Sequence, residues 1–292
     1  MIVDCHTHVW QTPDQLGQLA ASDAGRAGRP RIPRTPGERL AQRPAPAADV
    51  DYHWAQASAV DKVFVLGFKS RYLQAEVPNR YVSDYVIRYP QKLIGFAGID
   101  PTDPAAVDEI RSARGQLHLR GITLSPANQD FHPSDTRAMR VYETAEELGM
   151  PVLVHPGSPF TEHSKIEYAR PALLDEVARA FPKLHLIVSH LGYPWVDETI
   201  CLLGKHQRMY ADISGLLRRP WQAYASLVSV YQYGVIDKLL FASDFPYATA
   251  TECIEALYSL NQIAHGTNLP LVPRESLRSI IERDTLPLLG LA

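Results

Sequence analysis

Close to its start the chain reads Asp4-Cys5-His6-Thr7-His8. Two histidines at spacing i, i+2 project from one face of an extended segment, about one strand repeat apart, so their imidazoles can share one divalent cation. Alone, such a pair is a weak motif, and an exposed pair of rings is the bland reading. Three other places strengthen it. The runs Pro151 to His155 and Leu184 to His190 each end an apolar stretch on a histidine, and Leu239 to Asp244 ends another on a carboxylate. Singly, each of these is more often a hydrogen-bonded core or rim residue. Jointly, four imidazoles and one carboxylate form a nitrogen and oxygen set suited to zinc or another borderline transition metal.

What would gather them is the order of elements. Strand-sized apolar runs lie at Met1–Cys5, Lys62–Phe68, Leu93–Ile99, Gly121–Ser125, Val152–His155, Leu184–His190, Met209–Ile213 and Lys238–Ser243. Helix-length segments separate many of them: Asn79–Tyr89, Pro104–Gln116, Ser134–Leu148, Arg170–Phe181 and Thr249–Ile263. Ser134–Leu148 has Ser134 as its expected cap and stops at Gly149 before Pro151. Strand and helix in alternation predict a parallel sheet with crossover helices, and eight units close a (β/α)8 TIM barrel. The competing doubly wound sheet lacks support, because no Gly-rich phosphate loop follows any of these strands. In a barrel the active site forms at the carboxyl ends of the strands, where His6, His8, His155, His190 and Asp244 are expected to lie.

The whole of 1–292 reads as one α/β barrel domain with a long insertion after strand one. That insertion, Gln11–Val50, is rich in Pro, Gly, Ala and Arg, and is either a lid or a flexible loop. Its arginines, Arg26, Arg29, Arg31, Arg34, Arg39 and Arg43, suit an anionic substrate or a neighbouring subunit, with a solvated surface as the default. Pro273–Ala292 reads as a closing helix. Charge excludes some partners: 29 Lys and Arg against 32 Asp and Glu give a net charge of −3, not the basic footprint of nucleic-acid binding. No run approaches a membrane span, and MIVDCHTHVW lacks the basic and apolar regions of a secretory leader, so a cytoplasmic location is expected. Cys5, Cys201 and Cys253 are too few and too scattered for a disulfide framework or a CxxC zinc site. Cys5 points opposite to His6 in a regular strand and belongs to the core.

These residues carry a family resemblance. The HxH of strand one, single histidines ending strands five and six, and the aspartate ending strand eight resemble the amidohydrolase superfamily of metal-dependent barrels. The stretch Asn79 to Pro101, with His190-Leu191-Gly192-Tyr193-Pro194-Trp195, Tyr210-Ala211-Asp212-Ile213-Ser214-Gly215 and Ala242-Ser243-Asp244-Phe245-Pro246, is similar to the branch that includes aminocarboxymuconate semialdehyde decarboxylase. The resemblance spans nearly everything except Gln11–Val50. It implies His6, His8, His155 and Asp244 as metal ligands, Asp244 also as the group that carries the proton, and His190 beside the attacking water. The chemistry of the residues agrees, since imidazoles donate lone pairs to a cation that acidifies bound water. Where two-metal members carry a bridging lysine on strand four, this chain has Gly121 to Pro126 and no lysine. One divalent metal is therefore expected, zinc first and manganese second.

Around such a centre, Trp10, Phe68, Lys69, Asn128, Phe160, Tyr193 and Trp195 follow strand ends and are candidate pocket residues, with rim packing the alternative. His132 and His163 fall in loops on the same side. His53, His118, His185, His206 and His265 read as structural or exposed. The leading expectation is a metal-dependent hydrolase of an amide, ester or lactone bond in a small, carboxylated substrate. The alternatives are a non-oxidative decarboxylase on the same cage and a non-catalytic metal-binding barrel. The expected partner is a small molecule, with neither nucleic acid nor membrane, and a homo-oligomer is the remaining partner to test.

Overall fold

Eight of the short apolar runs become one parallel sheet in the structure, a computed structural model that describes residues 1–20, 47–156 and 160–291. In chain order the strands are β1 (Val3–His8), β2 (Lys62–Leu66), β3 (Phe68–Ser70), β4 (Ala75–Val77), β5 (Leu93–Gly98), β6 (Gly121–Leu124), β7 (Val152–Val154), β8 (Leu186–Val188), β9 (Met209–Asp212) and β10 (Leu239–Leu240). The large sheet runs β1-β2-β5-β6-β7-β8-β9-β10, every pair parallel. The chain after β10 brings the sheet back to β1: Cys5 N donates to Phe241 O, Asp244 N to His6 O and His8 N to Phe245 O, at 2.9 to 3.0 Å. The expected TIM barrel is thus the observed fold.

Both faces of such a sheet are covered, so alternate residues serve two apolar layers. Phe64, Leu66, Phe96, Leu153, Ile187 and Leu240 fill the barrel interior. Val63, Val65, Val152, Val154, Leu186 and Val188 face the surrounding helices. The helix Thr136–Glu147 illustrates how local sequence sets these elements. Its apolar side buries Val141, Tyr142 and Ala145, and its cap is Asp135, whose side chain accepts from Arg137 N, rather than the expected Ser134. Ser134 turns instead to His132 Nδ1. Thr249 and Glu252 form a reciprocal capping box at the start of Ala250–Tyr258, worth about 1 kcal/mol.

The antiparallel pair β3–β4 is not among the expected elements: the second expected strand runs unbroken to Phe68, whereas β2 stops at Leu66. Gly67 ends β2 because the chain must pass close to the neighbouring strand: a Cβ there would meet Gly98 N at 2.6 Å, and one on Gly98 would meet Phe68 N at 2.5 Å. Asn79 locks this crossing, accepting from Gly98 N and donating to Gly98 O. The insertion expected as either a lid or a flexible loop, Gln11–Val50, falls largely outside the described residues, as do its arginines. Its flanks are fixed by Trp10 N donating to Ala48 O and Gln18 N to Leu73 O, each at 3.0 Å. From Val50 to Gln56 the chain is helical, capped by Asp49. Among the described residues no helix is long and apolar enough to cross a membrane.

Candidate metal centre

A one-residue irregularity in β1 aims the two N-terminal histidines. Asp4 pairs with Val63 but Thr7 with Val65, so the register slips between them. Val3 and Cys5 already face the barrel interior. The extra residue shifts the alternation, so that His6 and His8 also project into the barrel mouth rather than opposite to Cys5, as a regular strand would have it. His6 Nε2 then lies 3.0 Å from His8 Nε2 and 3.1 Å from His155 Nε2, the latter ring carried just beyond β7. Asp244 Oδ1 stands 3.8 Å from His6 Nε2. His190 joins with a ring centroid 4.9 Å from that of His6. The sequence-predicted set of four histidines and one aspartate is therefore assembled at one barrel mouth.

Two of these residues reach the mouth through backbone in the left-handed region, His190 at φ 55° and Asp244 at φ 66°. Gly215 makes room for them. It sits at φ +66°, and a Cβ on it would stand 3.1 Å from Asp244 Oδ2 and 3.2 Å from His190 Nδ1. Asp244 divides its two oxygens: Oδ1 faces the imidazoles, and Oδ2 accepts from Arg218 Nη2 at 2.6 Å.

The electrostatics follow from burial. Desolvation and the neighbouring His6 push His8 down to about 3, and burial with His6 and His8 depresses His155 well below the ordinary histidine value. Burial likewise lowers His190. For His6 burial also opposes the charge, but Asp212 and Asp244 outweigh it and hold this ring up. Burial would raise Asp212, yet His6 and its hydrogen bonds hold that carboxylate at about 2. An acceptor-only carboxylate at 2.9 Å from His6 Nδ1 takes the Nδ1 hydrogen, leaving the Nε2 lone pair turned toward His8 and His155. With a single lone pair on His6 Nε2 and two imidazole nitrogens 3.0 and 3.1 Å from it, at most one N–H···N bond forms there, and a positive species among the rings satisfies all three. Ligand atoms around one tetrahedral ion at bonds of about 2.1 Å stand roughly 3.4 Å apart, close to the spacings seen here, so the residues fit a divalent metal.

Other anticipated residues are dispersed. Phe160 and Trp195 meet edge to face at 6.2 Å, and Tyr193 lies under Arg219; these three come from the loops after β7 and β8. Trp10 is packed into the core between sheet and helices. Phe68 is half-buried on β3. Asn128 accepts from Ser164 Oγ through its side chain and from Ser70 Oγ through its carbonyl. Lys69 pairs with Asp103 and Glu109, and Thr123 on β6 donates to Gly67 O. His132 leans on Tyr168, and His163 sits exposed beside Glu162. Asp212, Ser214 and Arg218 carry no role among the sequence expectations, although Asp212 and Ser214 lie within the stretch Tyr210 to Gly215. Asp212 ends its strand, the same signal that found the histidines.

Comparison with known proteins comes down to one family and one fold. The profile of the family described as amidohydrolase matches residues 3–280. A dihydroorotase of Helicobacter pylori (strain HPAG1) is 28% identical over 99 residues, 34% of this chain and 28% of that protein, so the match spans under a third of this curated relative. Among solved structures, an uncharacterized TIM-barrel protein of Bordetella bronchiseptica superposes with TM-score 0.74 at 20% identity, covering 99% of this chain and 98% of that one. A probable 2-pyrone-4,6-dicarboxylic acid hydrolase of Acinetobacter baumannii, with citric acid bound, gives 0.65 at 16% identity and 99% of each chain. A dihydroxybenzoic acid decarboxylase of Polaromonas sp. JS666, with manganese and 2-nitroresorcinol, gives 0.65 at 14%, covering 99% and 97%.

Proposed function

Because the chain belongs to the amidohydrolase family, we propose that it is a metal-dependent hydrolase cleaving an ester, lactone or amide bond in a small carboxylated substrate. One observation carries this reading: the Asp244 carboxylate is suspended between an imidazole cluster on one side and the Arg218 guanidinium on the other.

In this reading His6, His8, His155 and Asp244 hold one divalent ion, zinc first and manganese second, which supplies a Lewis acid and acidifies the water it binds. Asp244 accepts a proton from the attacking water as the new carbon–oxygen bond forms, and returns it to the leaving oxygen or nitrogen as the scissile bond breaks. His190 orients that water or the substrate oxygen. Arg218 is the handle for the substrate's acid group. It is partly exposed, its Nη2 engages Asp244, and its Nε is buried without a hydrogen-bond partner among the described residues. A planar, partly exposed guanidinium held at one edge by Asp244 suits a carboxylate, and charge-assisted bonds of this kind are the strong ones. Tyr247 supports the guanidinium from its ring face at 5.2 Å. Phe160 and Trp195, in edge contact on the loops after β7 and β8, would supply an apolar wall for the substrate, with Tyr193 beside them.

Loss of carbon dioxide is the second reading, favoured by the manganese-bound dihydroxybenzoic acid decarboxylase that shares the fold. There Asp244 or His190 would deliver the proton that replaces the carboxylate at carbon. The discriminating experiment incubates zinc- and manganese-loaded protein in heavy-oxygen water with carboxylated lactones and esters and with hydroxybenzoates. Hydrolysis places one heavy oxygen in the product and releases no carbon dioxide. Carbon dioxide without oxygen incorporation overturns the hydrolase and installs the second reading. Bound metal with no turnover across the panel overturns both.

A further inference from the structure

Behind the cluster lies a group of hydrogen bonds that the proposed chemistry does not use. Asp212, fully buried at the end of β9, accepts from four donors: His6 Nδ1 at 2.9 Å, His190 N and Ser214 N at 3.0 Å each, and Ser214 Oγ. Ser214 Oγ in turn stands 2.8 Å from His190 Nδ1 and 3.1 Å from His6 Nδ1. We propose that Asp212 and Ser214 form an orienting brace that holds both His6 and His190 in the Nδ1–H tautomer, turning the Nε2 lone pairs of both rings into the barrel mouth.

The assignment follows from what each atom is able to do. A carboxylate only accepts, so the hydrogen between Asp212 Oδ2 and His6 sits on Nδ1. Ser214 directs its single hydrogen to Asp212 Oδ1, which leaves an oxygen lone pair facing His190 Nδ1. The Ser214 carbonyl, which also can only accept, lies 2.9 Å from the same nitrogen. His190 Nδ1 is therefore the donor, and its other nitrogen is a proton acceptor. By taking the His190 backbone N–H, Asp212 also secures the left-handed turn at His190 and Leu191 that aims the ring. A single buried carboxylate thus ties the ends of β1, β8 and β9 together.

Asp212 and Ser214 are positioning residues, since they act through two histidines. Their functional weight rests on the metal-dependent reading above, whereas the tautomers do not. Imidazole nitrogen NMR spectra of metal-free wild-type protein at alkaline pH test the tautomers directly, and both His6 and His190 should carry the hydrogen on Nδ1. In Asp212→Asn the amide NH2 must face either His6 Nδ1 or the two backbone N–H groups. His6 should then flip to Nε2–H, and zinc affinity in chelator competition should fall about 10–100-fold, the usual effect of losing an outer partner of a ligating histidine. Ser214→Ala keeps the carbonyl on His190 and the carboxylate on His6, so both tautomers should persist. An Nε2–H tautomer at either ring in wild type overturns the brace, as does Asp212→Asn with unchanged tautomers and zinc affinity. Should Asp212→Asn not fold, the wild-type spectra decide alone. Nδ1–H tautomers in a protein that binds no zinc would leave the brace standing and bring down the metal-dependent function instead.

Discussion

Strand β1 carries buried histidine chemistry on both of its faces, and the two faces behave differently. On the outer side, Thr7 Oγ1 donates to Phe64 O and accepts from His53 Nε2, while Tyr85 OH donates to His53 Nδ1 at 2.7 Å. Every polar atom of that trio has a partner with one neutral imidazole in place. On the inner side, one residue away in sequence, the Nε2 atoms of His8 and His155 stand 3.0 and 3.1 Å from His6 Nε2. His155 Nδ1 is buried without a partner among the described residues. A histidine whose two nitrogens are both matched is a structural element. Histidines whose ring nitrogens converge on one another, with more contacts than one lone pair can serve, are arranged for something that is not protein, and burial alone does not separate the two cases.

Exchanging the faces gives the largest expected contrast. His6→Ala should abolish stoichiometric zinc and lower turnover by more than the roughly 100-fold that outer-partner changes reach. His53→Ala should leave the zinc in place and act on stability alone. It leaves the Tyr85 hydroxyl and Thr7 without their buried partner and opens a cavity, costing about 2–4 kcal/mol of stability, with zinc content kept. Elemental analysis and urea unfolding of the two variants measure both effects, and a stable His53→Ala protein that has lost its metal would erase the distinction drawn between the faces.

A smaller effect sharpens the inner face. If its open side receives an acid group, Arg218→Met should raise KM for the carboxylated substrate about 10–100-fold, the equivalent of a charge-assisted hydrogen bond of about 1.5–3 kcal/mol. Its zinc content should be unchanged, and a neutral amide analogue should lose little. Equal losses for acid and amide would remove Arg218 from substrate recognition.

Much of the inner face was legible because barrels follow a positional rule: apolar runs ending in His155, His190 and Asp244 needed only the strand ends to be recognised. What stayed hidden depends on contacts across the chain. The Asp212–His6 bond links positions 206 apart, and no local pattern announces it. The slip between Asp4 and Thr7 is invisible because Cys5-His6-Thr7-His8 alternates plausibly in either register. Strands β3 and β4, three residues each, are too short to show a period. Trp10 follows the first strand as a pocket residue should, but its indole is drawn into the core, where its apolar area is worth more than at a rim. The outer face is legible only in outline: the sequence marks His53 as structural or exposed, and its partners Thr7 and Tyr85, which decide for structural, lie 46 and 32 residues away.

The outer face also makes a prediction in pH. Burial lowers His53 to about 4 from the ordinary value of 6.5. The folded protein therefore keeps this ring neutral in a range where the unfolded chain protonates it. Between those values the unfolded state binds more protons, so the contribution of His53 is complete above about pH 6.5 and declines as pH falls through about 4. A difference of this size corresponds to about 3 kcal/mol. Other buried groups titrate in the same range, Asp4 being raised to about 6 by burial, so the contribution is isolated as a difference. His53→Gln keeps one donor and one acceptor but no titrating ring. The stability advantage of wild type over His53→Gln, from urea curves on metal-free protein, should shrink steadily on acidification from about pH 6.5 to pH 4. A constant advantage across that range would mean that the ring is already charged in the fold, and with it the claim that this face is complete with a neutral imidazole would fail.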